Sequence, residues 1–194
     1  IGSCRSGTTW ITSVINLNSY YRELFEPFRT LHPEMIEAGF KKNLFLDSSM
    51  KMEKLRKLAE LTFKGKFYRK EIELKKKSIF SHKKDYLIIK DVFANLIAYE
   101  FCKKNKKIKP ILIIRNPFAV VDSIIKKKDS DWMTDPSEFL QQKELSEKFL
   151  NPFKDIISEI SESGSYFEKQ LLIWSIINYV PLKQFKEDEL HITF

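Results

Sequence analysis

Gly2 and Gly7 bracket four residues and Thr8-Thr9 follow at once, so "GSCRSGTT" has the spacing of a phosphate-binding loop, G-x-x-x-x-G-K-[ST], with Thr8 at the lysine position. Such a loop turns a strand into a helix and aims backbone N–H groups at an anion. Gly7 lets the backbone approach oxygen atoms closely, and the hydroxyls of Ser6, Thr8 and Thr9 add donors. Arg5 is the only positive charge in the loop. Its fork of N–H groups suits a phosphate or a sulfonate. ATP hydrolysis is disfavoured, because the lysine that grips the β- and γ-phosphates is missing. A Gly-Thr turn also serves as a plain helix cap, so the loop needs a partner.

"LIIRNPFAVVDS" supplies one. It ends a strand on Arg115, turns through Asn116-Pro117 and enters a helix that carries Ser123. Arg115 and Ser123 lie about two helical turns apart at ~1.5 Å per residue. An arginine at a strand end and a serine on the next helix grip one phosphate from two sides. The plainer alternative is an Arg-Asn-Pro turn that caps a helix, with Ser123 on its surface.

The elements that position these residues follow from periodicity. Apolar residues at 10, 11, 14, 15 and 17 predict a helix over 8–18. Residues 21–28 read as a short strand or extended segment halted by Pro27, 85–90 and 109–115 as buried strands, and 189–194 as a closing strand. Helices are expected over 48–63 with Ser48 or Ser49 as cap, 93–105, 117–128, 136–149, 152–163 and 166–182, with a further helical reading at 68–78. Pro117 suits a first helical turn. Residues 33–80 read as a helical insertion over one face of the sheet, shaping the acceptor site. Strands alternate with helices, which predicts one α/β domain over 1–194: three layers, a mostly parallel sheet, helices on both faces. Ile1 reads as the tail of a strand and "HITF" as a strand cut off midway. The expectation is therefore a domain trimmed at both ends, with targeting segments outside it.

Composition narrows the classes. Hydrophobic residues are 43% of 194, including 16 Phe, enough for one core. The longest apolar runs, "ILII" (111–114) and "LIWSII" (172–177), are too short to span a bilayer. Cys4 and Cys102 offer neither metal-ligand spacing nor a disulfide framework. The net charge of +8 comes with lysine clusters at 75–77, 83–84, 103–107 and 126–128. A polyanionic cofactor or an acidic glycan would suit that charge. Most of these lysines read as solvated helix faces, and without interleaved aromatics they predict no nucleic-acid partner.

"RSGTTW" (5–10) and "RNPFAVVDS" (115–123) together resemble the nucleotide motifs of the sulfotransferase family, whose cosubstrate is 3′-phosphoadenosine 5′-phosphosulfate (PAPS). The first matches that family's 5′-phosphosulfate loop and the second its 3′-phosphate site, in the same order, each opening a βα unit. The resemblance implies a P-loop NTPase-like fold, PAPS as cosubstrate and no metal, since the transferred group carries one negative charge. It implies that Arg5 contacts the sulfonate and the bridging oxygen of the leaving group. Many relatives have lysine there; arginine is the variation of the carbohydrate- and tyrosine-directed branches. Ser6, Gly7, Thr8 and Thr9 match the 5′-phosphate cradle. Trp10 matches an aromatic that stacks near adenine, and is equally readable as a core tryptophan. Arg115 and Ser123 match the 3′-phosphate clamp, which selects PAPS over ATP.

The base also follows from the resemblance. Cytosolic members use a histidine shortly after a lysine at the end of the strand before "IIRNP". In "YLIIKDV" Lys90 matches the lysine, but Val92 stands where the histidine belongs, and His82 precedes the strand. In the glycan- and tyrosine-directed branches a glutamate downstream of the loop takes the role. Glu26 fits, before Pro27 at a strand end, where α/β sites collect; Glu23 is the reserve. Lys90 is a second candidate for holding the sulfonate or the acceptor. The plainer readings are a capping carboxylate and a strand-end lysine. Trp174 and Asn178 read as packing residues, Trp132 as a loop anchor or sugar contact, and His32 and His191 have no assigned partner.

The expected activity is sulfonate transfer from PAPS to an acceptor hydroxyl, with a glycan favoured by the Glu-Pro pair. The alternatives are a P-loop nucleotide kinase or NTPase, with Asp91 as a Walker-B carboxylate, a non-catalytic nucleotide-binding module, and a basic nucleic-acid binder. The Lys/Ile/Asn-rich composition suggests a bacterial cytoplasm, or the Golgi lumen if an N-terminal anchor precedes the chain.

Overall fold

In the computed structural model, which describes residues 1–67, 72–73, 86–127, 134–186 and 189–193, the apolar runs form parallel pairs. β1 (Tyr21–Phe25) pairs with β2 (Tyr86–Lys90), bringing Phe25 opposite Lys90. β3 (Ile111–Ile113) pairs with β4 (His191–Thr193). Gly2 adds a parallel bridge to Ile113 on β3, where Ile113 N donates to Ile1 O at 3.0 Å. A Cβ at Gly2 would lie 2.7 Å from Ile113 O, so the start of the loop needs glycine to approach β3 this closely.

Parallel neighbours require crossovers, and helices supply them. α1 (Thr8–Ile15) follows the loop; α2 (Pro33–Glu37) and α3 (Glu53–Phe63) lie between β1 and β2. α4 (Ala98–Cys102) precedes β3, and α5 (Pro117–Lys127) follows it. A 3₁₀ turn (Pro136–Phe139) leads into α6 (Lys143–Leu145), which continues as a π-helical turn (Ser146–Leu150) and a 3₁₀ turn (Asn151–Phe153). α7 (Lys154–Ser163) and α8 (Tyr166–Gln184) complete the helices. The chain is a mixed α/β fold, about half helical, with short parallel strands.

Three apolar clusters hold it together. Leu24 of β1, Met35 of α2 and Leu55 of α3 pack with Phe28 and Ile97. Ile173, Ile176 and Val180 of α8 pack with Phe139, Leu145 and Ile157. Leu112 of β3 and Leu190 pack with Phe185 and Cys102. Among the described residues no helix is long and apolar enough to cross a membrane.

Several element boundaries differ from expectation, each for a local reason. The helix expected over 93–105 is confined to Ala98–Cys102, because the preceding segment is held in a turn by Asp91 and tied to the opening loop by Asn95. Phe93 N donates to Asp91 Oδ1 at 2.7 Å, and Asn95 Oδ1 is occupied by Gly2 N at 3.0 Å. The helix expected from 48 begins at Glu53, since Ser49 N and Oγ both bond Asp47 Oδ1 in a turn. The 136–149 segment breaks into three helical types, opened by Asp135, which accepts from Ser137 N. α8 starts as read, with a reciprocal Ser165–Glu168 capping box. The helical reading at 68–78 falls almost entirely outside the described residues, as do His82 and Trp132.

Candidate functional site

The opening loop takes its shape from two left-handed residues. Arg5 has φ 63° and Gly7, the N-cap of α1, has φ 92°. A Cβ at Gly7 would meet nothing within 4 Å, so glycine serves there for its conformation rather than for space. Ile11 N is the first α1 amide to find a helical acceptor, Gly7 O at 3.0 Å. The amides of Thr8, Thr9 and Trp10 lie before it and have no acceptor within the helix, the usual state of a helix start. Ser6 Oγ donates inward to Ser3 O at 2.6 Å and is buried, so this hydroxyl braces the turn. Thr8 is buried and Thr9 exposed. Trp10 is 68% exposed, which excludes the core reading and leaves its ring on the surface beside the loop.

The second motif meets the first. Arg115 lies just past the end of β3, and Asn116 caps the helix that follows: Asn116 Oδ1 accepts from Ala119 N at 3.2 Å and Asn116 O from Val120 N at 3.1 Å. Arg115 Nη1 donates to Arg5 O at 3.1 Å, and Arg5 Nε donates to Ser123 Oγ at 3.0 Å. Arg5, Arg115 and Ser123 thus share one open groove of about 450 Å³ with Asp122, Lys126 and Lys127. Asp122 is paired with Lys126 at 2.7 Å. Four cations against one carboxylate leave the groove strongly positive. α5 divides its duties by face, since Val120, Val121 and Ile124 are buried while Ser123 and Lys127 line the groove.

Glu26 and Lys90 form a second cluster, at the far ends of β1 and β2. Lys90 Nζ is ion-paired with Glu26 Oε1, the two side chains being 5% and 12% exposed. Parallel register creates this contact, because Phe25 faces Lys90 and Glu26 N donates to Lys90 O at 2.7 Å. The ammonium also lies 4.3 Å from the centre of the Phe25 ring. Glu26 has φ 48°, an unfavourable conformation for a residue with a Cβ. Its carbonyl meets His32 Nε2 at 3.2 Å. Glu23, the reserve base, is buried in the sheet with Asn16 Nδ2 at 3.5 Å from Oε2, while Asn16 also braces the Tyr21 backbone. Of the two carboxylates, Glu26 is the one at a strand end.

Asp91 is almost wholly buried. Its Oδ2 accepts from Phe28 N at 2.8 Å and its Oδ1 from Phe93 N at 2.7 Å. Burial pushes this carboxyl up to about 6, against the pull of the two amides. Ser3 and Cys4 of the loop line a narrow cavity of about 40 Å³ together with Val92 and Phe93, just beyond Lys90. Trp174 of α8 also lines it, and Asn178 Nδ2 donates to Trp174 O at 2.8 Å. Arg5, Arg115, Lys90 and Glu26 therefore each stand at or just past the C-terminal end of a parallel segment, the position where open α/β sheets bind ligands.

Sequence reasoning missed three contributors. His32 had no identified partner, and its contact with Glu26 follows from the turn through Pro27. Asp91 reads from sequence as a Walker-B carboxylate, whereas both its oxygens serve backbone amides. Asn95, which ties Gly2 to the segment after β2, carried no signal in the sequence. Comparison of the chain with protein-family models, with curated proteins and with solved structures gave no match.

Proposed function

We propose that the chain is a sulfotransferase, moving a sulfonate group from PAPS to an acceptor hydroxyl, and that its strands belong to a three-layer, P-loop-like sheet. The observation that carries this reading is the groove in which Arg5, Arg115 and Ser123 converge, reached from motifs more than 100 positions apart. A clamp of two arginines and a hydroxyl beside the start of α1 suits a nucleotide with anionic groups at both ends of its ribose. ATP lacks the 3′-phosphate that such a clamp would select.

The roles follow from position. Arg115 and Ser123 take the 3′-phosphate; Arg5 and the first amides of α1 take the 5′-phosphosulfate. Transfer is an in-line displacement: the acceptor oxygen bonds to sulfur as the bond from sulfur to the 5′-phosphate oxygen breaks. Glu26 receives the acceptor proton, help typically worth ~10²–10⁴-fold. Arg5 and the loop amides balance the charge growing on the departing phosphate oxygen. Lys90 has Glu26 as its present partner. The donor sulfonate offers that ammonium a second anion, which would leave Glu26 able to accept a proton. A glycan hydroxyl is the acceptor we favour. Asp91 supports transfer over a magnesium-dependent kinase, because its oxygens are committed to Phe28 N and Phe93 N.

Calorimetric titration with adenosine 3′,5′-bisphosphate and with adenosine 5′-phosphate tests this. Wild type should bind the bisphosphate more tightly, and Arg115→Ala should lose most of that gain. A charge-assisted contact of this kind is worth about 1.5–3 kcal/mol, or roughly 10- to 150-fold. Equal affinity of wild type for the two nucleotides would reject the reading.

A further inference from the structure

We propose that Asp91 is a positioning residue for Glu26: its carboxylate bolts the corner after β1 to the corner after β2 and so fixes the backbone that carries the base. The inference rests on the reading of Glu26 as the proton acceptor.

Left-handed backbone at a glutamate persists only where its surroundings over-determine it. At Glu26 they do so from three directions. Glu26 N donates to Lys90 O at 2.7 Å. Glu26 O accepts from Arg29 N at 3.1 Å and meets His32 Nε2 at 3.2 Å. Two residues further on, Phe28 N donates to Asp91 Oδ2 at 2.8 Å.

An aspartate that merely shaped its own turn would need only an amide two residues ahead. Asp91 has that one, Phe93 N on Oδ1. The second amide belongs to a corner 63 positions earlier in the chain. One buried carboxylate therefore spans the corners that carry Glu26 and Lys90, and its neighbour Lys90 extends its ammonium to Glu26 instead. Keeping a charge-bearing group 1% exposed is unfavourable unless its hydrogen bonds are met, and here one amide meets each oxygen. Asparagine has a single acceptor oxygen at this site, so its NH₂ would face one of the two N–H groups.

The test is Asp91→Asn. Three readouts are expected to move together. Hydrogen exchange at Phe28 N should quicken at least ~10-fold. Acetylation of Lys90 by N-acetoxysuccinimide, followed by peptide mass spectrometry, should quicken at least ~10-fold while exposed Lys64 keeps its rate. In donor hydrolysis, with water as acceptor, kcat should fall ~10-fold or more with the KM for PAPS held within ~2-fold. A general loosening of the fold would speed labelling at many sites and raise KM as well. Unchanged protection of Phe28 N and Lys90 would overturn the proposal. If Asp91→Asn does not fold, NMR titration of wild type decides. The amides of Phe28 and Phe93 should both follow the Asp91 carboxyl carbon, with Glu26 across the corner and Lys90 alongside as its charged neighbours. Movement of Phe93 alone would overturn it. Failure of wild type to bind adenosine 3′,5′-bisphosphate would instead reject the sulfotransferase reading, and exchange and labelling would still report on the corner.

Discussion

Removing the ammonium from the Glu26–Lys90 pair gives the most quantitative test of how the second cluster is built. Lys90→Met leaves the Glu26 carboxylate buried without its counter-ion and close to the Asp91 carboxyl. Breaking a buried ion pair from one side costs about 3–5 kcal/mol. Glu26 keeps a little access to water at 12% exposure, which favours the lower end, about 3 kcal/mol. For a chain of this size each 1 kcal/mol moves Tm by ~2–4 °C, so the expected drop is about 6–12 °C. Glu26→Leu strands the ammonium and should cost about as much. The double variant removes both charges and should lie within about 1 kcal/mol of wild type, because apolar groups replace a buried pair nearly neutrally. Urea unfolding at neutral pH of wild type, both single variants and the double variant measures the coupling. We expect it to exceed about 2 kcal/mol. Additive single effects, with coupling below about 0.5 kcal/mol, would refute the view that Lys90 holds Glu26 in place.

Two further perturbations separate ligand effects from fold effects. Trp10→Ala should change stability by no more than about 0.5 kcal/mol, since the ring is exposed, yet weaken adenosine 3′,5′-bisphosphate by about 1–3 kcal/mol, or 5- to 150-fold, if it stacks on the base; unchanged affinity in the same titration would remove Trp10 from the site. Asp91 has a folded pKa of about 6, above its usual 3.8, so its contribution is most favourable below about pH 4 and weakens as pH rises to 6. At ~1.36 kcal/mol per pH unit that change is at most about 3 kcal/mol. Asp47 runs the other way: its hydrogen bond from Lys148 holds it below the usual carboxylate range, so its contribution is full above that range and lost as pH falls. Urea unfolding between pH 4 and 6 should show wild type losing stability relative to Asp91→Asn, and a constant difference would contradict the sign.

The first cluster was legible because its two arginines lie on βα corners, where a strand run, a turn residue and a helix start are written consecutively, and Ser123 follows on the helix that one of these corners opens. Arg5 with Gly7, and Arg115 with Asn116-Pro117, announce themselves this way. Helix α5 was readable across its described residues, Pro117–Lys127, for the same reason. The second cluster was only half legible. Glu26 and Lys90 could each be placed at a strand end, but their union depends on the register of β1 against β2, which no local pattern encodes. The burial of Asp91 and the contact of His32 with the Glu26 carbonyl depend on a loop path that periodicity does not specify. The segment after β2 escaped for a different reason: its apolar spacing is helical, but Asp91 holds the Phe93 amide in a turn and Asn95 is drawn to the distant Gly2 amide, a contact no local pattern encodes. Trp10 resisted assignment because an aromatic at that spacing fits a core as well as a ligand face, and only packing distinguishes them.

The contacts that build the two clusters link residues 64, 110 and 118 positions apart, and the described strands pair in parallel, so no tight hairpin among them brings these residues together early. Loop closure must be met in entropy before any of these contacts returns energy. A nascent chain released short of Ser123 would lack the second arm of the proposed anion clamp however well its first strands had paired. Under the proposed function, ligand affinity should therefore appear only once the segment carrying Ser123 is in place, and bisphosphate present during refolding should act on the final docking of α5 rather than on initial collapse.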